Sequence, residues 1–159
     1  MSKLNEAAPA FVEMAHAIVW ADVTTVDAKG RPRARVLHPY WEWDGERLTG
    51  WVGTTPTPFK RAHLDHSPYA SVNYWTPTHD TCLAECRAEF VYDDERRTWL
   101  WEAYKAAPPP LGYDPAMIPT WKGPTHESFA ALRFDPYHVR VFPGTLLLEQ
   151  RGTFLEWRE

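Results

Sequence analysis

The stretch Thr57-Pro58-Phe59-Lys60-Arg61 has the makings of an anion-binding helix start. Thr57 is a natural N-cap, and Pro58 suits the first helical position. Backbone N–H groups left free in a first turn converge with the positive end of the helix dipole, and anions gather there. Lys60 adds a cation in that turn, where the dipole alone disfavours one. A bound anion accounts for it; a solvated lysine on an ordinary helix start is the alternative. Upstream, Arg33 and Arg35 lie two apart in a β-like run, which puts both guanidiniums on one face of a strand. A guanidinium meets a phosphate through parallel N–H donors. Arg31 continues the row and fits a merely solvated strand face. Only the coincidence of the lysine and the arginine pair points to a phosphate.

Other chemistries fit less well. His63 and His66 share a short helix without a second pair of ligands, and His16, His38, His79, His126 and His138 are scattered, so no metal-ligand spacing emerges. His38 and His138 fall in β-like runs and read as hydrogen-bonded structural histidines. Asp93-Asp94 reads as a helix cap, and Glu85 with Glu89 as a wet strand face rather than a hydrolytic carboxylate pair. No nucleophile-elbow, Walker or dinucleotide glycine motif occurs. Cys82 and Cys86 would lie about 13 Å apart along a strand, too far for a mutual disulfide, and read as small core residues.

These residues need elements to hold them. Phe11, Met14, Ala15 and Ile18 at helical spacing predict a helix over 7–18, with Pro9 in its first turn. Residues 19–26 and 31–43 predict a hairpin around Asp27-Ala28-Lys29-Gly30. Asp44-Gly45-Glu46 then turns the chain into a third strand over 47–53, so three strands would lie side by side as a meander. A helix over 59–66 ends at Ser67-Pro68, strands follow over 69–75 and 82–92, and a helix runs from Asp93 or Asp94 to about Ala106 with Trp99 and Ala103 inward. The Pro-rich connection over 107–127 is longer than loops usually run, which predicts a lid, an arm or a partner-packing segment. Strands over 131–142 and 145–157 complete about seven in all.

At 159 residues, 44% hydrophobic and 24% charged, the chain fits a single domain over 1–159. No apolar run reaches the 18 or so residues of a membrane helix, and residues 1–13 do not read as a secretion signal, so a cytoplasmic protein is expected. A net charge of −4 argues against a general nucleic-acid binder. Nine tryptophans fit a wide barrel or a pocket for a flat ligand. Trp75, Trp121 and Trp157 are candidates to shield such a ligand, with Trp121 on the long connection the best placed as a lid.

Arg35-Val36-Leu37, Trp51-Val52-Gly53-Thr54, Lys60, Ser67-Pro68 and Asn73-Tyr74-Trp75 follow one another at a spacing that resembles the pyridoxamine 5'-phosphate oxidase-like, flavin-binding split-barrel family. The resemblance covers roughly residues 10–92 and implies a mainly β fold with peripheral helices, an antiparallel split β-barrel. It implies a homodimer with two FMN molecules at its interface and a small-molecule substrate. The phosphate would be held at the Arg35 and Lys60 positions, with Arg33, Arg61 or Thr57 in reach. Val52, Gly53 and Thr54 would lie along the isoalloxazine, with Val36 and Trp75 among the cofactor contacts. Pro58-Phe59-Lys60 departs from the family's Ser-Arg-Lys, Leu83-Ala84-Glu85 from its Gln-Val-Arg, and its C-terminal substrate signature is missing, so pyridoxamine phosphate is not the expected substrate. Relatives on this scaffold bind F420 or haem instead. Arg33 and Arg61 would serve the polyanionic tail of F420, and a non-enzymatic flavin or haem carrier is the further alternative.

Overall fold

The computed structural model describes residues 1–159. The first helix, α1, spans Leu4–Ile18 and starts three residues before the apolar spacing predicts. Glu6 accepts the Lys3 N–H at 3.0 Å and so ties off the helix start. Pro9 therefore lies inside the helix rather than in its first turn. Its position is exposed, where the carbonyl it leaves unpaired can turn to water. Ala7, Ala8, Phe11 and Ala15 form the buried stripe.

Strand β1 (Ala21–Val26) turns through Asp27 and Gly30 into β2 (Pro32–Leu37), with Val23 opposite Arg35 and Thr25 opposite Arg33. Asp27 organises the turn. Its carboxylate accepts the Lys29 and Arg31 N–H groups at 2.9 and 3.0 Å and the Arg31 Nε at 2.8 Å, which pulls it down to about pKa 2. The expected single strand over 31–43 is interrupted at His38-Pro39, because proline has no N–H to give a ladder. Strand β3 (Tyr40–Trp43) instead pairs with β4 (Leu48–Thr54). The predicted meander is thus two separate hairpins at opposite ends of the sheet.

Helix α2 (Pro58–His66) leads to β5 (Tyr69–Trp75) and β6 (Thr81–Val91), and helix α3 (Asp94–Ala106) to a 3-10 turn at Pro115–Met117 and strand β7 (Ala130–Phe142). The order along the sheet is β2-β1-β5-β6-β7-β4-β3, all antiparallel. Edges β2 and β3 do not pair, so the barrel is split between them. The run over 145–157 is not one strand but helix α4 (Gly144–Glu149) followed by β8 (Leu155–Arg158), which pairs with β7. Leu146, Leu147 and Leu148 form a short apolar run that periodicity alone cannot assign. Here Asp80 accepts the Gly144 N–H at 2.7 Å and starts a helix that leaves Leu147 and Leu148 exposed.

Inside the barrel, Phe11 meets Trp41 edge-on at 4.8 Å, and the Trp41 indole donates to the Tyr74 hydroxyl at 2.8 Å. Cys82, Ala84, Cys86 and Ala88 line the same interior from β6, and both cysteines are free and buried. A second core lies under α3, where Leu100, Trp101 and Tyr104 pack with Trp51 and Phe129. The inward stripe of α3 is therefore Arg97, Leu100, Trp101 and Tyr104, with Trp99 and Ala103 only partly covered. His138 joins three strands, its Nδ1 2.9 Å from Glu85 on β6 and its Nε2 2.8 Å from Glu156 on β8. No helix is long and apolar enough to cross a membrane.

His16 ties α1 to β3 by accepting the Trp41 N–H on Nε2 at 2.9 Å. Burial, with the nearby His38 as a lesser cause, lowers its pKa to about 4. The unfolded chain takes up this proton near pH 6.5 and the folded chain only near pH 4. Stability is therefore lost as pH falls through that window, on the order of 2 kcal/mol. His16→Gln keeps an acceptor without a titrating ring. Denaturant unfolding at pH 7 and pH 4.5 should show a smaller pH loss in the variant; an equal loss in both proteins would exclude His16 as the cause.

Candidate functional site

Two cations lie near each other beside the start of α2. Thr57 caps α2, its Oγ1 accepting the Lys60 N–H at 3.3 Å. The Arg61 N–H goes to the Thr57 carbonyl at 3.1 Å. Pro58 has no N–H, so Phe59 holds the one first-turn amide without a partner, and the helix end offers an anion less than an uncapped turn would. The charge is supplied instead by Lys60, which curls back to β4. Its Nζ donates to Thr54 Oγ1 at 2.6 Å and the Thr55 carbonyl at 3.2 Å. An ammonium has three donors, so one is left over.

Arg35 reaches the same place from β2. Its Nη1 donates to Thr25 Oγ1 at 2.8 Å and the Val23 carbonyl at 3.3 Å. Nε and Nη2, the edge that grips two oxygens side by side, make no protein hydrogen bond. Both cations are half-buried and have their pKa lowered, first by desolvation. For Lys60 the second cause is the charge of Arg35, whereas for Arg35 it is the opposite charge of Asp22, which acts the other way. Every other partly or fully buried basic residue has an acid within 4.0 Å: Arg96 has Glu42, Arg97 has Asp94, and Arg133 has Glu89 and Asp135. Arg35 and Lys60 have none that close, though the charge of Asp22 acts on Arg35. Desolvating two like charges near each other without an ion pair is costly, and a phosphate dianion would offset that cost.

The remaining predicted residues separate into groups. Arg33 is on the same face of β2 as Arg35 but is exposed and lies 3.7 Å from Asp27. Arg61 points along the other flank of α2, into a groove where Arg87 and Arg133 alternate with Asp65, Glu89 and Asp135. Thr54 belongs to the site through its bond to Lys60. Val52 is buried in the barrel core. At Gly53 a Cβ would fall 2.5 Å from the Phe129 ring, so packing against Phe129 already demands glycine there. Val36 and Trp75 lie on the opposite face of the sheet from Arg35, as the pairing of Asp22 with Val36 and Asn73 shows, and are 65% and 56% exposed.

Thr25, Thr55 and His63 also belong to this neighbourhood, though sequence reasoning missed them. His63 follows Lys60 by three, the one signal that could have placed it on the same helix flank. Its Nδ1 lies 3.2 Å from Thr25 Oγ1. Trp121, on the Pro-rich connection, donates from its indole to Thr55 Oγ1 at 3.1 Å and packs on Phe129 at 5.0 Å. The connection thus folds back onto its own chain beside Lys60. None of the five main cavities is lined by Arg35 or Lys60.

No protein-family model matches the chain, and no curated protein matches it by sequence. Solved structures do. A Clostridium acetobutylicum protein related to general stress protein 26, of the pyridoxinephosphate oxidase family, superposes with a TM-score of 0.70 over 97% of this chain and 95% of its own, at 13% identity. The chain has the fold of the pyridoxamine 5'-phosphate oxidase-like split barrels. A pyridoxamine 5'-phosphate oxidase-related, FMN binding protein from Nostoc punctiforme gives a TM-score of 0.66 at 14% identity, over 100% of this chain and 98% of its own. A heme binding protein from Mycobacterium smegmatis gives 0.63 at 16% identity, over 99% of this chain but 59% of its own. Split barrels of this fold are thus described with more than one ligand, and at such identities the ligand has to be argued from the residues of this chain.

Proposed function

We propose that residues 1–159 act as one flavin-binding domain, an oxidoreductase that holds FMN by its phosphate between Arg35 and Lys60 and acts on a small molecule. The observation that carries this reading is the pair of half-buried cations with no acid within 4.0 Å, one with a free bidentate edge and one with a spare donor. The donor set fits a phosphate monoester: a planar fork with its bidentate edge free and an ammonium with a spare donor, near enough for one charge to act on the other. Bound FMN would supply hydride transfer at its ring. The chain's own part is to bind and orient, with Thr54, Thr55 and Thr25 holding the two cations in place.

FMN fits better than F420. The longer tail of F420 needs further cations, but Arg33 is engaged by Asp27 and the groove beside Arg61 carries as many acids as arginines. The absorption spectrum of the purified protein and the mass of any released molecule test this directly. Bound or readily bound FMN is expected; haem or F420 in its place, or failure to bind added FMN, would overturn it.

An exposed apolar patch supports a homodimer. Val36, Trp75 and Tyr69 share the outer face of the sheet, all at least half exposed, and apolar patches of that kind mark contact surfaces. Val36→Glu combined with Trp75→Glu should convert the dimer to monomer in sedimentation velocity. A monomeric wild type, or a variant that stays dimeric, would contradict association through this face.

A further inference from the structure

We infer that Trp121, on the Pro-rich connection, is a positioning residue that holds Lys60 in place through Thr55, a role that rests on the phosphate reading of Arg35 and Lys60 above. The connection then controls how firmly the site grips its ligand.

Lys60 is aimed by the turn between β4 and α2, and that turn has little backbone to steady it. The last ladder pair of β4 is Thr54 with Ala130, and α2 begins at Pro58. Between them Pro56 has no N–H to give. The Thr55 carbonyl accepts the Thr57 N–H at 2.9 Å and Lys60 Nζ at 3.2 Å, which fills both of its lone pairs. The other hold on the ammonium is Thr54 Oγ1 at 2.6 Å. Thr55 thus carries both the turn and one of the two bonds that direct Lys60.

The side chain of Thr55 is fixed from outside the turn. Trp121 Nε1 lies 3.1 Å from Thr55 Oγ1, from a position 66 residues further along the chain. An indole N–H only donates, so the hydroxyl oxygen accepts. This is the one side-chain hydrogen bond that Thr55 makes. Trp121 is itself anchored. Its backbone N–H donates to the Ile118 carbonyl at 3.0 Å, and its ring meets Phe129 edge-on at 5.0 Å. It lies over Gly53, where a Cβ would come 3.6 Å from its Cη2. Further on, Arg97 of α3 binds the carbonyls of Thr125, His126 and Phe129. Ring packing of this kind would be served by phenylalanine. What the indole adds is an N–H, directed at the residue that holds Lys60.

The coupling runs both ways. With Trp121 docked, the Thr55 carbonyl keeps the ammonium aimed; with the connection lifted, the turn is free and the cation loses that direction. By reciprocity, a phosphate that draws on Lys60 favours the docked connection. FMN should therefore slow hydrogen exchange at Met117, Ile118, Trp121 and Lys122, whose amides are bonded within the connection or to Ser128 at its end.

The test compares FMN and riboflavin binding to the full chain, followed by flavin fluorescence, in Trp121→Phe, Thr55→Val and the two combined. Trp121→Phe keeps a ring against Phe129 and removes the N–H. Thr55→Val keeps the shape and removes the acceptor, and it stands alone if the first variant misfolds. FMN should bind about three- to tenfold more weakly in either variant and no more weakly in the double variant. Riboflavin should bind as it does to the wild type, and Trp121→Phe should change nothing further in a Lys60→Ala background. Wild-type affinity for FMN in both variants, an equal loss for FMN and riboflavin, or the same loss in the absence of Lys60 would overturn the role of Trp121 and leave the phosphate site standing. A wild type that binds FMN and riboflavin equally would remove the phosphate reading and the role of Trp121 with it.

Discussion

Lys60→Ala is expected to weaken FMN binding by about 1.5 to 3 kcal/mol, the scale of a lost charged hydrogen bond, or roughly 10- to 150-fold in Kd. Arg35→Ala should do at least as much, since it removes a bidentate edge rather than a point charge. Quenching of flavin fluorescence on titration measures both. The free protein should respond in the opposite sense. Lys60 is desolvated, feels the like charge of Arg35 and has no ion pair, so Lys60→Met should leave the melting temperature of the unliganded chain unchanged or raised. A residue serving the fold would lower it, whereas a residue kept for a ligand costs stability while the site is empty. An unchanged Kd in Lys60→Ala would remove Lys60 from the site.

Arg97→Ala is expected to destabilise the chain by about 3 to 5 kcal/mol. Arg97 is 7% exposed, and its guanidinium donates to the carbonyls of Thr125, His126 and Phe129 at 3.1, 3.1 and 3.0 Å. It also pairs with Asp94 at 2.6 Å. One side chain of α3 thus satisfies the end of the Pro-rich connection, and deleting it strands three acceptors. The loss should appear as a drop of about 10 °C or more in melting temperature. Hydrogen exchange should rise over residues 107–129 before it rises in β5 or β6. Arg97→Lys should recover little, because an ammonium cannot span three carbonyls as the planar fork does. A variant within about 1 kcal/mol of wild type would mean that the connection is held by its aromatic packing alone. The same segment carries Trp121 to Thr55, next to Lys60, so its attachment bears on the site as well as on the core.

What the sequence made legible was local. The turn at Asp27 and Gly30, the Thr57-Pro58 start of α2 and the alternation of Cys82, Ala84, Cys86 and Ala88 are each specified by neighbours in the chain, and each forms as expected. What it hid was tertiary. Nothing near Pro39 says that β3 crosses to the far edge of the sheet, because that depends on the partner strand β4 and on β7 beyond it. The leucines of α4 read as well for a strand as for a helix until Asp80, distant in sequence, caps them.

The candidate site divides along the same line. That Arg33 and Arg35 share a face follows from strand period alone. That Asp27 engages Arg33 rather than Arg35 depends on how the turn aims its carboxylate. Gly53 is expected along a flavin ring, but the neighbour that forbids a side chain there is Phe129, just before β7. His63 was visible only as one histidine among seven, since its partner Thr25 lies 38 residues away.

If Arg35 and Lys60 hold a phosphate group, comparing FMN with riboflavin isolates that group. The two share the ring and ribityl chain and differ in the phosphate. Titrating the wild-type protein with each should show FMN bound at least about 100-fold more tightly, with most of that preference lost in Lys60→Ala. Equal affinity for FMN and riboflavin in the wild type would contradict it, because the ring would then be held without the two cations.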